Sequence, residues 1–296
     1  MRIFLGASAE LSEVCRELKE LRKLATRVRA VKFLGQHFMV SCSLGEEIAN
    51  SLSKLCPGKC RGVFELGSGL GSLTLYLRYI SDYVVASEID PRFLGALRST
   101  FQQSLVDIIA CDGVPLLGAL REGFIVASNT PYVISARVLA AVVRSKAIGA
   151  VLVLQKDVAE KISAKPGSRN YGRISAFVQT FMEVTLGGSY PPKVFIPRPK
   201  VWSSVVVLRR LREWVDSYRG YEDFLKCLFS QRRRVVGKRL RDCLGVKLDV
   251  LSRELSEDFL RRRVFEVDPK TLLELYLKLH SGSYSKTQDD PSHLEV

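Results

Sequence analysis

Val63-Phe64-Glu65-Leu66-Gly67-Ser68-Gly69-Leu70-Gly71 carries an apolar, strand-forming run straight into three glycines at alternate positions. The run has the length of a buried strand, and the glycines let a ligand lie against the backbone while the chain turns into a helix. An acid followed by G-x-G-x-G departs from the G-x-G-x-x-G pattern of dinucleotide-binding turns. By itself, however, a glycine loop also serves nicotinamide enzymes. Working outward, strand-like runs at residues 63–66, 83–89, 106–111, 124–128 and 150–154 alternate with helical patterns after Gly71, Pro91 and Ser135. This predicts an α/β fold with a largely parallel, doubly wound, Rossmann-like sheet, its ligands at the carboxyl ends of the strands. Residues 184–186 and 203–208 add a hairpin-like end, joined by a stiff proline-rich connection at 191–199.

The strand ends carry the chemistry. Glu88 closes the second strand, where an acid can accept from both ribose hydroxyls; Asp112 closes the third, where a carboxylate can accept from an adenine amine. Asn129 closes the fourth and opens Asn129-Thr130-Pro131-Tyr132. An exocyclic amine conjugated to a base ring is a poor nucleophile. An amide oxygen and a backbone carbonyl can accept its two hydrogens and favour a pyramidal nitrogen, with Pro131 fixing the turn and Tyr132 offering a flat face to the base. Four ligand-type groups on one sheet edge favour an S-adenosylmethionine pocket over a dinucleotide one.

The 296 residues hold 45 Lys and Arg against 31 Asp and Glu, a formal charge of +14. Such an excess points to a polyanionic partner bound through phosphate contacts, hence nucleic acid. Seven cysteines without a regular framework and only three histidines argue against a metal site and suggest reduced thiols in a cytoplasmic protein. No apolar run has membrane-spanning length, and the amino terminus lacks a signal core. The expected organisation is an amino-terminal helical extension over residues 1–30, a catalytic domain over 31–210, a small all-helical domain over 211–280 and a disordered tail over 281–296. The helices of the small domain are expected at 221–230, 232–244, 248–263 and 269–279.

Several longer strings sharpen the reading. Gly35-Gln36-His37-Phe38, the Glu65 to Gly71 loop, Glu88-Ile89-Asp90, Asp112 and Asn129 to Tyr132 follow one another in order. Gln155-Lys156-Asp157, Tyr171-Gly172-Arg173, Pro191-Pro192 through Ser204-Val205-Val206 and Leu228-Phe229-Ser230-Gln231-Arg232-Arg233 come after them. Together they resemble the ribosomal RNA adenine dimethyltransferases that act on the small subunit, over nearly the whole chain, and the resemblance implies a class I methyltransferase fold.

It also implies a reaction: S-adenosylmethionine-dependent dimethylation of the 6-amino groups of two adjacent adenosines near the 3′ end of small-subunit rRNA. The substrate would be a pre-ribosomal particle and the enzyme a monomer. By position, His37, Met39, Gly67, Glu88, Asp112 and Asn129 would hold the cofactor, and Asn129, Pro131 and Tyr132 the target adenine, with Phe195 as a second stacking face. Arg232, Arg233, Arg234, Lys238, Arg239 and Arg241 would form a basic helix on RNA backbone. Trp202 departs from the pattern, standing where a small acid is common. Two alternatives share the cofactor motifs: a large-subunit adenine methyltransferase of the antibiotic-resistance type, and a ribosome-assembly or transcription factor that keeps the fold without turnover.

Overall fold

The computed structural model describes residues 7–56, 61–245, 251–253 and 255–281. The chain divides into two compact units, one of residues 1–163 and 181–214, the other of 164–180 and 215–296.

The first unit is built on a seven-stranded sheet. Five parallel strands, β2 (Gly62–Leu66), β3 (Val84–Glu88), β4 (Val106–Ala110), β5 (Phe124–Asn129) and β6 (Gly149–Gln155), are extended by antiparallel β9 (Ser203–Arg210) and β7 (Met182–Tyr190). The order is β4-β3-β2-β5-β6-β9-β7. Strands β2 and β6 are buried along almost their whole length, which is why they read as continuous apolar runs. The order of successive strands reverses between the parallel neighbours β2 and β5, so the carboxyl ends of β2, β3 and β5 open a crevice there.

The amino-terminal helix α1 (Ala7–Arg27) belongs to this unit. Val14, Leu18 and Ala25 are buried in its core, and Glu17 pairs with Arg78 on α3 (Thr74–Ile80). A disulfide from Cys15 to Cys42, at the start of α2 (Cys42–Leu55), fastens it covalently.

The second unit is helical, as predicted, but its bounds differ from the expected 211–280: it also takes in residues 164–180. Tyr171 is fully buried there, its hydroxyl donating to the Val267 carbonyl at 3.0 Å, and the Gly167 amide donates to Phe265 O at 2.7 Å. Its helices include Tyr221–Phe229, Val236–Leu244, Glu257–Arg261 and Pro269–Ser281. Two expected helices are shorter than read. Residues 232–235 are not helical, because the carbonyls of Arg232 and Arg234 accept from the amides of Phe265 and Val264, and Val235 bridges Arg263. The 248–263 helix is broken by Ser256, whose hydroxyl caps Glu257–Arg261 through the Phe259 amide.

The expectation of reduced thiols is corrected. Cys15–Cys42 and Cys227–Cys243 are disulfides with Cα separations of 5.5 and 5.9 Å, within the range a bridge requires. Cys56 is disulfide-bonded too, and Cys111 is the free cysteine among the described residues. Residues 57–60 and 248–250, and the tail at 282–296 read as disordered, lie outside the described residues. Among the described residues, no helix is long and apolar enough to cross a membrane.

Candidate active site

The crevice is lined by the glycine loop, by Glu88 and Ile89 at the end of β3, by Asn129 and Pro131 at the end of β5, and by residues 34–39. Gly67, Gly69 and Gly71 have φ values of 74°, 57° and 87°, a region that other residues rarely occupy. At Gly67 a Cβ would find only Pro131 ring carbons within 4 Å, the nearest at 3.9 Å, so the loop leaves room for a ligand against its backbone.

Glu88 is held in place by the backbone around it. Its Oε2 accepts from the Gly69 amide at 2.6 Å and its Oε1 from the Asp90 amide at 2.7 Å. Burial raises its pKa against those two hydrogen bonds, so the carboxylate gains from further donors such as a ribose diol. Glu65, behind the loop, is 1 % exposed and accepts from Thr74 Oγ1 at 2.6 Å. Burial pushes its carboxyl up to about 8.

Residues 31–40 are pinned at four points. Phe38 and Met39 form strand β1 against Ile196 and Phe195 of β8 (Phe195–Ile196). Gln36 Oε1 accepts from the Val31 amide, and its Nε2 donates to Asp90 Oδ2 at 2.7 Å. His37 Nδ1 donates to the Pro197 carbonyl at 2.7 Å. Finally, Asn129 Nδ2 donates to the His37 carbonyl at 2.7 Å.

That last bond sets the chemistry of Asn129. With the amide nitrogen committed to His37, the oxygen is the end left to accept from an incoming amine. Tyr132 closes the same corner: its hydroxyl bonds Ser203 Oγ at 2.5 Å, and its ring lies 5.3 Å from the His37 ring.

The crevice therefore brings together His37, Met39, Gly67, Glu88, Asn129 and Pro131. Asp112 is not among its lining residues. Its Oδ1 caps the helix Gly113–Leu116 through the Val114 amide, and its Oδ2 pairs with Arg137 at 3.3 Å. Phe195 is corrected as a stacking face, being 1 % exposed in the core. Two contributors carried no role of their own in the sequence reading: the Gly69 amide, and Ile89, which is 53 % exposed beside Glu88; Gln36 lay in the Gly35-Gln36-His37-Phe38 string, but its partner Asp90 was not foreseen. These residues are of the kind that would fit S-adenosylmethionine: Glu88 could take the ribose, Ile89 lie against the adenine, and the open backbone at Gly67 receive the methionine portion.

In the helical unit the basic residues divide. Arg233, Arg234, Lys238 and Arg241 are exposed. Arg232 is not free, since its guanidinium donates to the carbonyls of Tyr171 and Arg169. Arg239 is corrected: it is buried, 6 % exposed, with its guanidinium on Cys227 O at 2.8 Å, Ser230 Oγ at 2.9 Å and Asp242 at 3.0 Å. It stabilises the unit and has no surface for a phosphate.

Comparison with known proteins places the chain in a family. A probable ribosomal RNA small subunit methyltransferase A from Aeropyrum pernix is 37% identical over 67% of this chain and 71% of its own length. Its namesake from Pyrobaculum aerophilum is 36% identical over 78% of this chain and 97% of its own. Among solved structures, a dimethyladenosine transferase from Plasmodium falciparum has a TM-score of 0.66 at 23% identity, over 79% of this chain and 96% of that one. The 23S rRNA methyltransferase ErmE has a TM-score of 0.59 at 23% identity, over 82% and 99%, a likeness of fold alone. The sequence model of the ribosomal RNA adenine dimethylases matches residues 27–260, most of the 296, and the chain belongs to that family.

Proposed function

We propose that this chain dimethylates the 6-amino groups of two adjacent adenosines near the 3′ end of small-subunit rRNA, acting as a cytoplasmic monomer on a pre-ribosomal particle. The observation that carries the reading is the Asn129 amide, oriented by the His37 carbonyl at the end of β5 beside the crevice. S-adenosylmethionine supplies a methyl group already activated on its sulfonium sulfur. The protein's part is alignment: Glu88 and the glycine loop fix one partner, while Asn129 Oδ1 and a backbone carbonyl of the 130–131 turn orient the amine of the other. Residues 34–39 cover the crevice and exclude water. Proton loss from the amine can follow transfer, so no strong base is required.

The small subunit is favoured over the large because relatives 36% and 37% identical carry the small-subunit name, whereas the large-subunit enzyme is alike in fold alone. Mapping dimethyladenosine in rRNA from cells with and without this protein tests the proposal. Loss of the paired modification from the small subunit is the expected result, and an unchanged small subunit overturns it.

A further inference from the structure

Trp202 is 49 % exposed at the amino end of β9, and Ser203 beside it is fully buried. Single exposed apolar residues are ordinary, so exposure alone means little. The surroundings of this one are specific. Lys156 Nζ stands 6.0 Å from the centre of the Trp202 ring, and the Lys156 amide donates to the Trp202 carbonyl at 2.9 Å. Ser203 Oγ bonds the hydroxyl of Tyr132, the residue assigned to face the target base. Ser203 pairs with Gln155 at the carboxyl end of β6, so Trp202 lies on the same sheet edge as Asn129. Arg198 and Lys200, just before it, are both exposed.

We infer that Trp202 and Lys156 form a stacking site for an unpaired RNA nucleotide flanking the target adenine. The inference rests on the adenine-transfer reading above. Every base has a π-face, so a half-open indole receives one without regard to sequence, and a cation against the ring strengthens the platform. The ammonium of Lys156, with Arg198 and Lys200 nearby in the chain, meets the phosphates on either side of the stacked base. A target adenine drawn out of its strand needs its neighbour held, and this site holds it on the edge where Tyr132 and Asn129 receive the target.

The test uses the full chain with Trp214→Phe, which leaves Trp202 as its one indole, since the sequence has two tryptophans. Titration with a short single-stranded oligoribonucleotide containing adjacent adenines should quench Trp202 emission saturably. In the wild-type background, Trp202→Ala should weaken binding of that RNA at least about fivefold, Trp202→Phe should retain most of it, and Lys156→Ala should lower the salt slope by about 0.7. Binding of S-adenosylhomocysteine and the thermal midpoint should stay unchanged in all three. Emission that does not respond at saturating RNA, or wild-type RNA affinity in Trp202→Ala, overturns the inference. Failure of the underlying reading looks different: the wild-type chain would leave unmodified small ribosomal subunits without dimethyladenosine, whatever Trp202 does, and both would fall.

Discussion

Gln36 Nε2 donates to Asp90 Oδ2 at 2.7 Å, so the segment in front of the crevice is tied to the turn that follows Glu88. Asp90 is 4 % exposed, and its bonds to the Arg92 guanidinium hold its carboxyl down to about 2. It therefore stays ionised as a partner for Gln36 at any ordinary pH. The pairing couples this segment to Glu88, the acid proposed for the ribose, two residues away.

Removing that coupling should loosen the segment without unfolding the sheet. A partly buried hydrogen bond is worth about 1 kcal/mol, so Gln36→Ala should speed hydrogen exchange across residues 34–41 about fivefold and raise KM for S-adenosylmethionine by a similar factor. Glutamate at the same position would set two carboxylates against each other and should be worse than alanine. Unchanged exchange in the alanine variant would show that β1 pairing alone holds the segment.

Glu65 gives the chain a pH dependence of its own. Its folded pKa, about 8, lies above the ordinary 4.5, so between those values the folded chain holds a proton that the unfolded chain has lost. Stability from this group is thus full below pH 4.5 and falls as pH rises through 8. Glu65→Gln keeps the neutral form at every pH. In urea melts of the ligand-free chain it should flatten the fall between pH 5 and 8 and be more stable than wild type at pH 9, by on the order of 2 kcal/mol. A variant whose pH profile parallels wild type would place the ionisation elsewhere.

What could be read from the sequence follows from what each feature leaves in the chain. Buried parallel strands are unbroken apolar runs and the ligand groups stand where those runs end, so the sheet, Glu88 and Asn129 were legible. The Gln36–Asp90 bond spans 54 residues and Asn129 to His37 spans 92, distances at which no periodicity signals contact. Cys15 and Cys42 are 27 residues apart with no matching pattern, so their pairing follows from the packing of two helices. Arginine is a good helix former, which made 232–235 read as helix; the tertiary bonds to Val264 and Phe265 override that propensity.

Asn129 should matter to turnover far more than to RNA binding. Its oxygen acts as the amine pyramidalises, and losing one such oriented group costs on the order of a hundredfold in rate. Asn129→Ala should therefore reduce single-turnover methylation about a hundredfold at saturating cofactor and RNA, with RNA affinity within about twofold of wild type. Asn129→Asp keeps an acceptor but turns a second oxygen toward the His37 carbonyl, so it should not restore the rate. Near-normal dimethylation by either variant would remove Asn129 from the reaction.

The two kinds of basic residue in the helical unit should separate cleanly. Arg233, Arg234 and Lys238 are exposed, so replacing all three with alanine should lower the salt dependence of RNA binding by about two units of slope, if each meets one phosphate. Rates at saturating RNA should remain near wild type, because none of these residues lines the crevice. Arg239→Ala should do the opposite. It strips buried bonds from Cys227 O, Ser230 Oγ and Asp242, and should cost about 2 to 3 kcal/mol in the stability of the helical unit while leaving the salt slope intact. Anisotropy titrations across a range of salt concentrations, set beside urea melts of the same variants, read both quantities. A lower slope in Arg239→Ala, or an unchanged slope in the triple variant, would show that the RNA lies on a different face of this unit.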